Sequence, residues 1–226
     1  LEFTPQAKGT YAGEEVGFGQ FHDGPAGSGY DGSGFMFLDR VERAKPTAPF
    51  LVDWRMVEPR RQMPPDWEAH LRVHNLGAVD EAALGDGHPP AYRGNPPVLR
   101  YLLRTRYGED LNSQFITVLE PFGKTPTLER VRLIGEQAAP DGFGAAVEVV
   151  LRNGCRDVIL VTENGGGIAA EDVTLDGRVG LVRFREGNPA LAVLVGGTAL
   201  QARGVALTQP AAFATGTLRG WDDTDP

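Results

Sequence analysis

A single cysteine, Cys155, stands among 226 residues, so no intrachain disulfide can form and the fold must rest on its packed core. Long apolar runs are also missing: no stretch approaches the roughly 20 residues that cross a bilayer as a helix. Leu1-Glu2-Phe3 lacks the basic-then-apolar pattern of a signal peptide. A start at Leu rather than Met points to a processed chain or an excised fragment. Positive charge is in deficit, with 22 Lys plus Arg against 30 Asp plus Glu and a net charge of -8. That removes the basic footprint needed for phosphate contacts, and nucleic acid is excluded as the main partner. No membrane partner is expected either. An acidic average still permits an anionic sugar, because a local group of guanidinium ions acts within a Debye length. Arg40, Arg43, Arg55, Arg60, Arg61, Arg100, Arg104 and Arg106 supply candidates, most of them read as solvated strand positions.

Amphipathic helices of ordinary length are absent from every window. What the chain has is 30 Gly and 17 Pro spread between short apolar runs, which reads as a turn-rich folded protein and not as low complexity. Strand candidates fall at residues 16–21, 35–43, 50–56, 67–73, 98–107, 115–119, 128–134, 145–151, 158–162, 179–184, 191–195 and 199–207. The expected fold is therefore all-β: one large two-layer antiparallel β-sandwich, supersandwich or jelly-roll-like, with negligible helix and spanning residues 1–226 as a single domain. Residues 221–226 read as a frayed acidic tail. The clearest alternation puts Trp67, Ala69, Leu71 and Val73 on one face, with Glu68, His70, Arg72 and His74 on the other. Asp176-Gly177, flanked by apolar alternation, reads as a two-residue hairpin turn. Asn164-Gly165-Gly166-Gly167 reads as a turn, and residues 59–65 and 85–97 as long loops.

Motif tests are mostly negative. His70 and His74 are four apart, but no Glu follows the first as in a zincin. On a strand their imidazoles share a face roughly 13 Å apart, too far for one ion. Gly123-Lys124-Thr125 lacks the preceding glycine of a phosphate-binding loop, and Gly17-Phe18-Gly19 lacks the third glycine and the βαβ setting of a dinucleotide site. No Gly-x-Ser-x-Gly elbow occurs. Cys155 reads as a small buried hydrophobe after an Asn153-Gly154 turn. No cofactor or metal is expected.

Several strings taken together resemble a known family: Gly29-Tyr30-Asp31-Gly32-Ser33-Gly34-Phe35, Val41-Glu42-Arg43-Ala44, Phe50-Leu51-Val52-Asp53-Trp54-Arg55, Leu71-Arg72-Val73-His74, Gly87-His88-Pro89-Pro90 and Ser113-Gln114-Phe115-Ile116-Thr117-Val118-Leu119-Glu120-Pro121. Their order and spacing resemble the C-terminal β-region of heparinase II/III-like polysaccharide lyases, from about residue 9 to residue 220. In that family an α/α-toroid carries the catalytic Tyr and His. The β-sandwich that follows bears a His-x-Asp-x-Gly-x-Phe segment and an Ala-His-Asn-(Ser/Thr) segment. Neither string occurs here, so no catalytic residue is carried onto a numbered position.

The resemblance implies a non-catalytic C-terminal module of a periplasmic or secreted enzyme. The parent reaction is β-elimination of a uronic-acid-containing polysaccharide, with the catalytic toroid and an acidic polysaccharide or oligosaccharide as partners. Sugar contacts are expected from the loop-rich stretches 23–33 and 85–95, through His22, Tyr30, His88, Tyr92 and Arg93, and not from the His70/His74 strand. Two alternatives stay open. One is a free-standing carbohydrate-binding sandwich stacking Tyr30, Trp54, Trp67, Tyr92 or Trp221 on sugar rings. The other is a self-contained jelly-roll lyase, whose Gln-Ile-His strand has only Gln114-Phe115-Ile116 as a counterpart.

Overall fold

Two long strands, β12 (Val173–Arg185) and β13 (Asn188–Ala202), organise the larger part of the chain, and both bend halfway. In β12 the buried positions are odd at first, Val173 and Leu175, and even later, Val182 and Phe184. Regular period-two alternation cannot change phase, so an irregularity must intervene. It lies between Asp176 and Gly177, where the register with β13 shifts. There the two backbones close on each other: a Cβ on Gly197 would sit 2.3 Å from the Asp176 carbonyl oxygen and 2.4 Å from the Gly177 Cα. Asp176-Gly177 is thus a corner inside one continuous strand and not the hairpin turn expected from its dipeptide. The hairpin comes at Glu186-Gly187, both with positive φ (51° and 82°), as a two-residue loop of the primed kind requires.

This computed structural model describes residues 1–12, 34–47, 49–56, 64, 66–89, 95–137, 142–209 and 216–217. They form antiparallel sheets, none closed into a barrel, and the one helical element described is a 3-10 turn at Gly34–Phe37. The all-β, sandwich-like expectation holds. The chain divides into two compact units: Leu1–Phe50 with Ala78–Ser113, and Leu51–Gly77 with Gln114–Pro226.

The first unit holds one four-stranded sheet in the order β1 (Thr4–Pro5), β2 (Leu38–Ala44), β5 (Glu81–Gly87), β6 (Leu99–Thr105). Residues 85–87 therefore belong to a strand, where a loop was expected. The strand Glu-Ala-Ala-Leu-Gly-Asp-Gly has little β-propensity. Its small residues fit because it runs between two neighbours: a Cβ on Gly87 would lie 2.8 Å from the Tyr101 ring. Arg43 ties this unit together. It pairs with Glu81, donates Nε to Gln6 Oε1 (2.9 Å) and Nη2 to the Tyr11 carbonyl (2.8 Å), and stacks over the Tyr11 ring.

The second unit is layered. Its main sheet runs β14 (Val205–Thr208), β13, β12, β10 (Arg156–Thr162), β9 (Gly144–Leu151), β8 (Leu128–Gln137), while β11 (Gly167–Ala170) pairs with β12 and β15 (Gly216–Thr217) with β13. β12 bonds to β11 through residues 173–176 and to β10 through residues 179–184, so the bend carries it from one layer to the other. The core fills the fold: Val158, Leu160, Leu175, Phe184 and Leu200 are fully buried beside Ile168 and Ala170 of β11. Each large aliphatic or aromatic side chain contributes roughly 1.5–3 kcal/mol of burial. A three-stranded sheet, β3 (Phe50–Arg55), β4 (His70–Asn75), β7 (Thr117–Phe122), packs Val118 with Leu76 and Ile116 against Val147 and Val149, on the other face of the main sheet.

Charge seals one end of the folded sheet. Glu148 of β9, 2% exposed, accepts from Arg130, Arg132 and Arg156, with the Arg132 Nε bond at 2.6 Å. Glu171 pairs with Arg132 and Arg156, and Asp172 with Arg203. Arg203 also donates to the Gly187 carbonyl at 2.7 Å and lies over the Phe184 ring, joining three hairpin turns. Hydrogen bonding from Arg132 outweighs burial and, with Arg156 and Arg130, pulls the Glu148 carboxyl from 4.5 down to about 2. Cys155 is buried and unpaired in a disulfide, as its sequence setting implied.

Two measurements check this account. Gly197→Ala should lower stability by about 3 kcal/mol or more in urea unfolding, because backbone stands where the methyl must go. Gly166→Ala, which meets nothing within 4 Å, should change it by less than about 1 kcal/mol. For Glu148 the folded pKa lies below the unfolded one. Its stabilisation is complete above pH 4.5 and disappears as pH falls through about 2. It amounts to at most about 3 kcal/mol. Glu148→Gln should remove this part of the acid dependence and lower stability at neutral pH.

Candidate ligand groove

In β4 burial follows the alternation only in part: Val73 is buried, as the apolar face implied, but Leu71 on the same face is not. Leu71 is 40% exposed, whereas the His70 and His74 side chains are only 22% and 15% exposed. Antiparallel pairing sets His70 opposite Phe122, Arg72 opposite Glu120 and His74 opposite Val118. Directly opposed residues share a face. Val118 packs toward the main sheet, so the His-Arg-His face turns that way, while Val73 and Asn75 on the opposite face are buried as well. Neither face of this sheet is wholly inside or wholly outside. The strand also begins at His70, with residues 67–69 outside it.

On the His-Arg-His face the charges form a ladder. The Asp53 carboxylate accepts from His70 Nδ1 at 2.9 Å and from Arg72 Nη2 at 2.9 Å. Glu120, almost fully buried, accepts from His74 Nε2 (3.0 Å), Thr127 N (2.7 Å), Leu128 N (2.8 Å) and Thr127 Oγ1 (3.3 Å). Arg72 lies 3.9 Å from the same carboxylate. Burial opposes ionisation of Asp53 and Glu120, but hydrogen bonds from His70 and Arg72 in one case, and from Leu128, His74 and Thr127 in the other, hold both below their ordinary values. The His70 ring stacks on Phe122 at 4.8 Å, and the Arg72 guanidinium stands 4.9 Å from the same ring.

An open groove of about 710 Å³ lies at one end of this sheet, lined by Trp54, Met56, Glu68, Ala69, His70, Leu71, Pro121, Phe122 and Gly123. Its walls are predominantly apolar, and Met56 and Leu71 are exposed. An ionised carboxylate can only accept, so the Asp53 contact fixes the proton on His70 Nδ1 and leaves Nε2 as an acceptor in the neutral ring. Nε2 has no partner among the described residues.

Of the residues expected to touch sugar, His22, Tyr30, Tyr92 and Arg93 lie outside the described residues. His88 is in the first unit, with its side chain 8% exposed and Nε2 2.9 Å from Asp39 Oδ1. It belongs to a charge network built on a bulge in β2, where Arg40 adopts φ 46° at the register shift and pairs with Asp86 at 2.9 Å. Arg100 joins Asp86 to Glu42. Among the described residues, no group of three or more His, Cys, Asp or Glu is arranged to hold a metal. The sequence marks Trp54 only as one of five possible stacking aromatics and puts Glu68 and His70 on the polar face of a strand. Compared with protein-family models, curated proteins and solved structures, the chain gives no match.

Removing the buried charge of the ladder should be costly. Glu120→Gln is expected to lower stability by about 2–3 kcal/mol in urea unfolding, since it removes the charge from four hydrogen bonds. Asp53→Asn, at the more open end, should cost no more than about 1 kcal/mol.

Proposed function

We propose that the chain is a non-catalytic β-sandwich module of a heparinase II/III-like polysaccharide lyase. In this reading it supports the catalytic toroid of the parent chain and forms one wall of the cleft in which uronic-acid-containing polysaccharide undergoes β-elimination. The ordered strings between residues 29 and 121 support the family. The observation that carries the contact role is the open groove with Trp54 in its wall. An indole offers a flat apolar surface to a sugar ring, and a paired, hydrogen-bonded sheet holds it in place. The described histidines support a non-catalytic role, because His70, His74 and His88 each engage a carboxylate that belongs to the packing of its own sheet. The same groove also fits a free-standing carbohydrate-binding sandwich. The two differ in whether a separately produced toroid from the parent gene binds this chain.

Purified chain incubated with heparan, chondroitin and alginate should yield no unsaturated uronate product by ultraviolet absorbance. Turnover that disappears on changing His22, His70 or His88 would overturn the reading in favour of a self-contained jelly-roll lyase.

A further inference from the structure

We propose that the groove beside Trp54 is a subsite for one uncharged pyranose ring. The inference rests on the saccharide-contacting role above and names the ring that the groove takes. The apolar part of the site is Trp54, Met56, Leu71 and Pro121, a surface suited to the C–H face of a pyranose. Two polar groups stand beside it. Glu68 is exposed and has no ion-pair partner among the described residues, and a carboxylate with both oxygens open can accept from two neighbouring hydroxyls. In its neutral form His70 offers Nε2 as an acceptor, because Asp53 occupies Nδ1 and Phe122 stacks on the ring.

The charge balance selects the ring. Among the described residues no Lys or Arg lines the groove. Of the described cations on neighbouring positions, Arg72 is committed between Asp53 and Glu120, and Lys124 to Asp66 at 2.8 Å. Arg55, next to Trp54 in β3, falls on the Asp53 side of the strand by alternation. A uronate would meet the Glu68 carboxylate with no cation of the described residues between them, whereas a ring bearing only hydroxyls meets acceptors it can satisfy. In a polymer that alternates uronate with an uncharged sugar, the groove takes the uncharged unit and the uronate lies outside it.

The test uses isotope-labelled whole chain and three oligosaccharides of equal length: an uncharged one, one alternating uronate with an uncharged sugar, and a homouronate. Amide shifts and affinities are read by NMR titration. The uncharged and alternating ligands should perturb residues 54–56, 69–71 and 121–123, and the homouronate should bind at least about tenfold more weakly. Trp54→Ala should weaken the first two about tenfold and Trp54→Phe no more than about threefold. Glu68→Gln, a change at an exposed side chain that leaves the core untouched, should weaken the uncharged ligand several-fold and reduce the discrimination against homouronate. Homouronate binding as tight as the uncharged ligand, or affinities unchanged by both Trp54→Ala and Glu68→Gln, overturns the subsite. If shifts then appear elsewhere, the saccharide-contacting role survives. No shift with any of the three ligands overturns both.

Discussion

The backbone crossing of Gly177 and Gly197 is the constraint on which the second unit depends. Two strands of thirteen and fifteen residues cannot remain flat and still close a core between their own halves. They bend together where neither carries a side chain, and the bend moves the buried set of β12 from odd to even positions so that both halves face the same interior. A single sheet thereby becomes a sandwich. Gly180 extends the requirement, since a Cβ there would lie 2.8 Å from Leu200 and 3.1 Å from Leu175, the side chains that meet across the fold.

Once the sheet has doubled over, its hairpins gather at one end, and the charged groups there act on several turns at once. Arg203 sits in the left-handed region at φ 41°, a conformation that a non-glycine residue adopts at a cost. Its bonds to Asp172 and to the Gly187 carbonyl offset that cost by linking neighbouring turns. Glu148 holds three guanidinium groups from three strand positions and is nearly water-free. Desolvating a carboxylate is expensive, and only this number of charge-assisted bonds makes ionisation the favoured state.

Different parts of the fold were legible in the sequence to different degrees, for physical reasons. Short alternating runs bounded by Gly and Pro revealed the strand class, because a pleated chain repeats every two residues wherever one face is buried. The same signal failed on Glu81–Gly87, a strand of Ala, Gly and acids whose place between two neighbours is set by tertiary packing. It misread Asp176-Gly177 because glycine at a backbone crossing and glycine in a tight turn look alike in one dimension. On β4 it held only in part: Val73 is buried as alternation implies, Leu71 is not. The layer facing the main sheet must also supply acceptors for the Thr127 and Leu128 amides at the start of β8, and Glu120 does so. Once Glu120 is inside, His74 and Arg72 follow as its partners. The groove was illegible because Trp54 and Leu71 look like core residues in the sequence, and only the fold places them in the wall of an open groove at the end of the sheet.

The ladder connects stability to function. With its charged groups mutually satisfied, the groove at the end of the sheet is left with apolar side chains and few polar groups, on strands whose positions the ladder fixes. Saccharide recognition gains little from each contact, so a flexible platform would lose much of that gain in ordering its own side chains. Asp53 bears on both sides of the problem. Its contact with Arg72 belongs to the ladder, and its contact with His70 holds the proton on Nδ1, which in the neutral ring leaves Nε2 as the acceptor. A carboxylate that looks like one more surface charge in the sequence thus sets the hydrogen-bonding character of the groove without entering it.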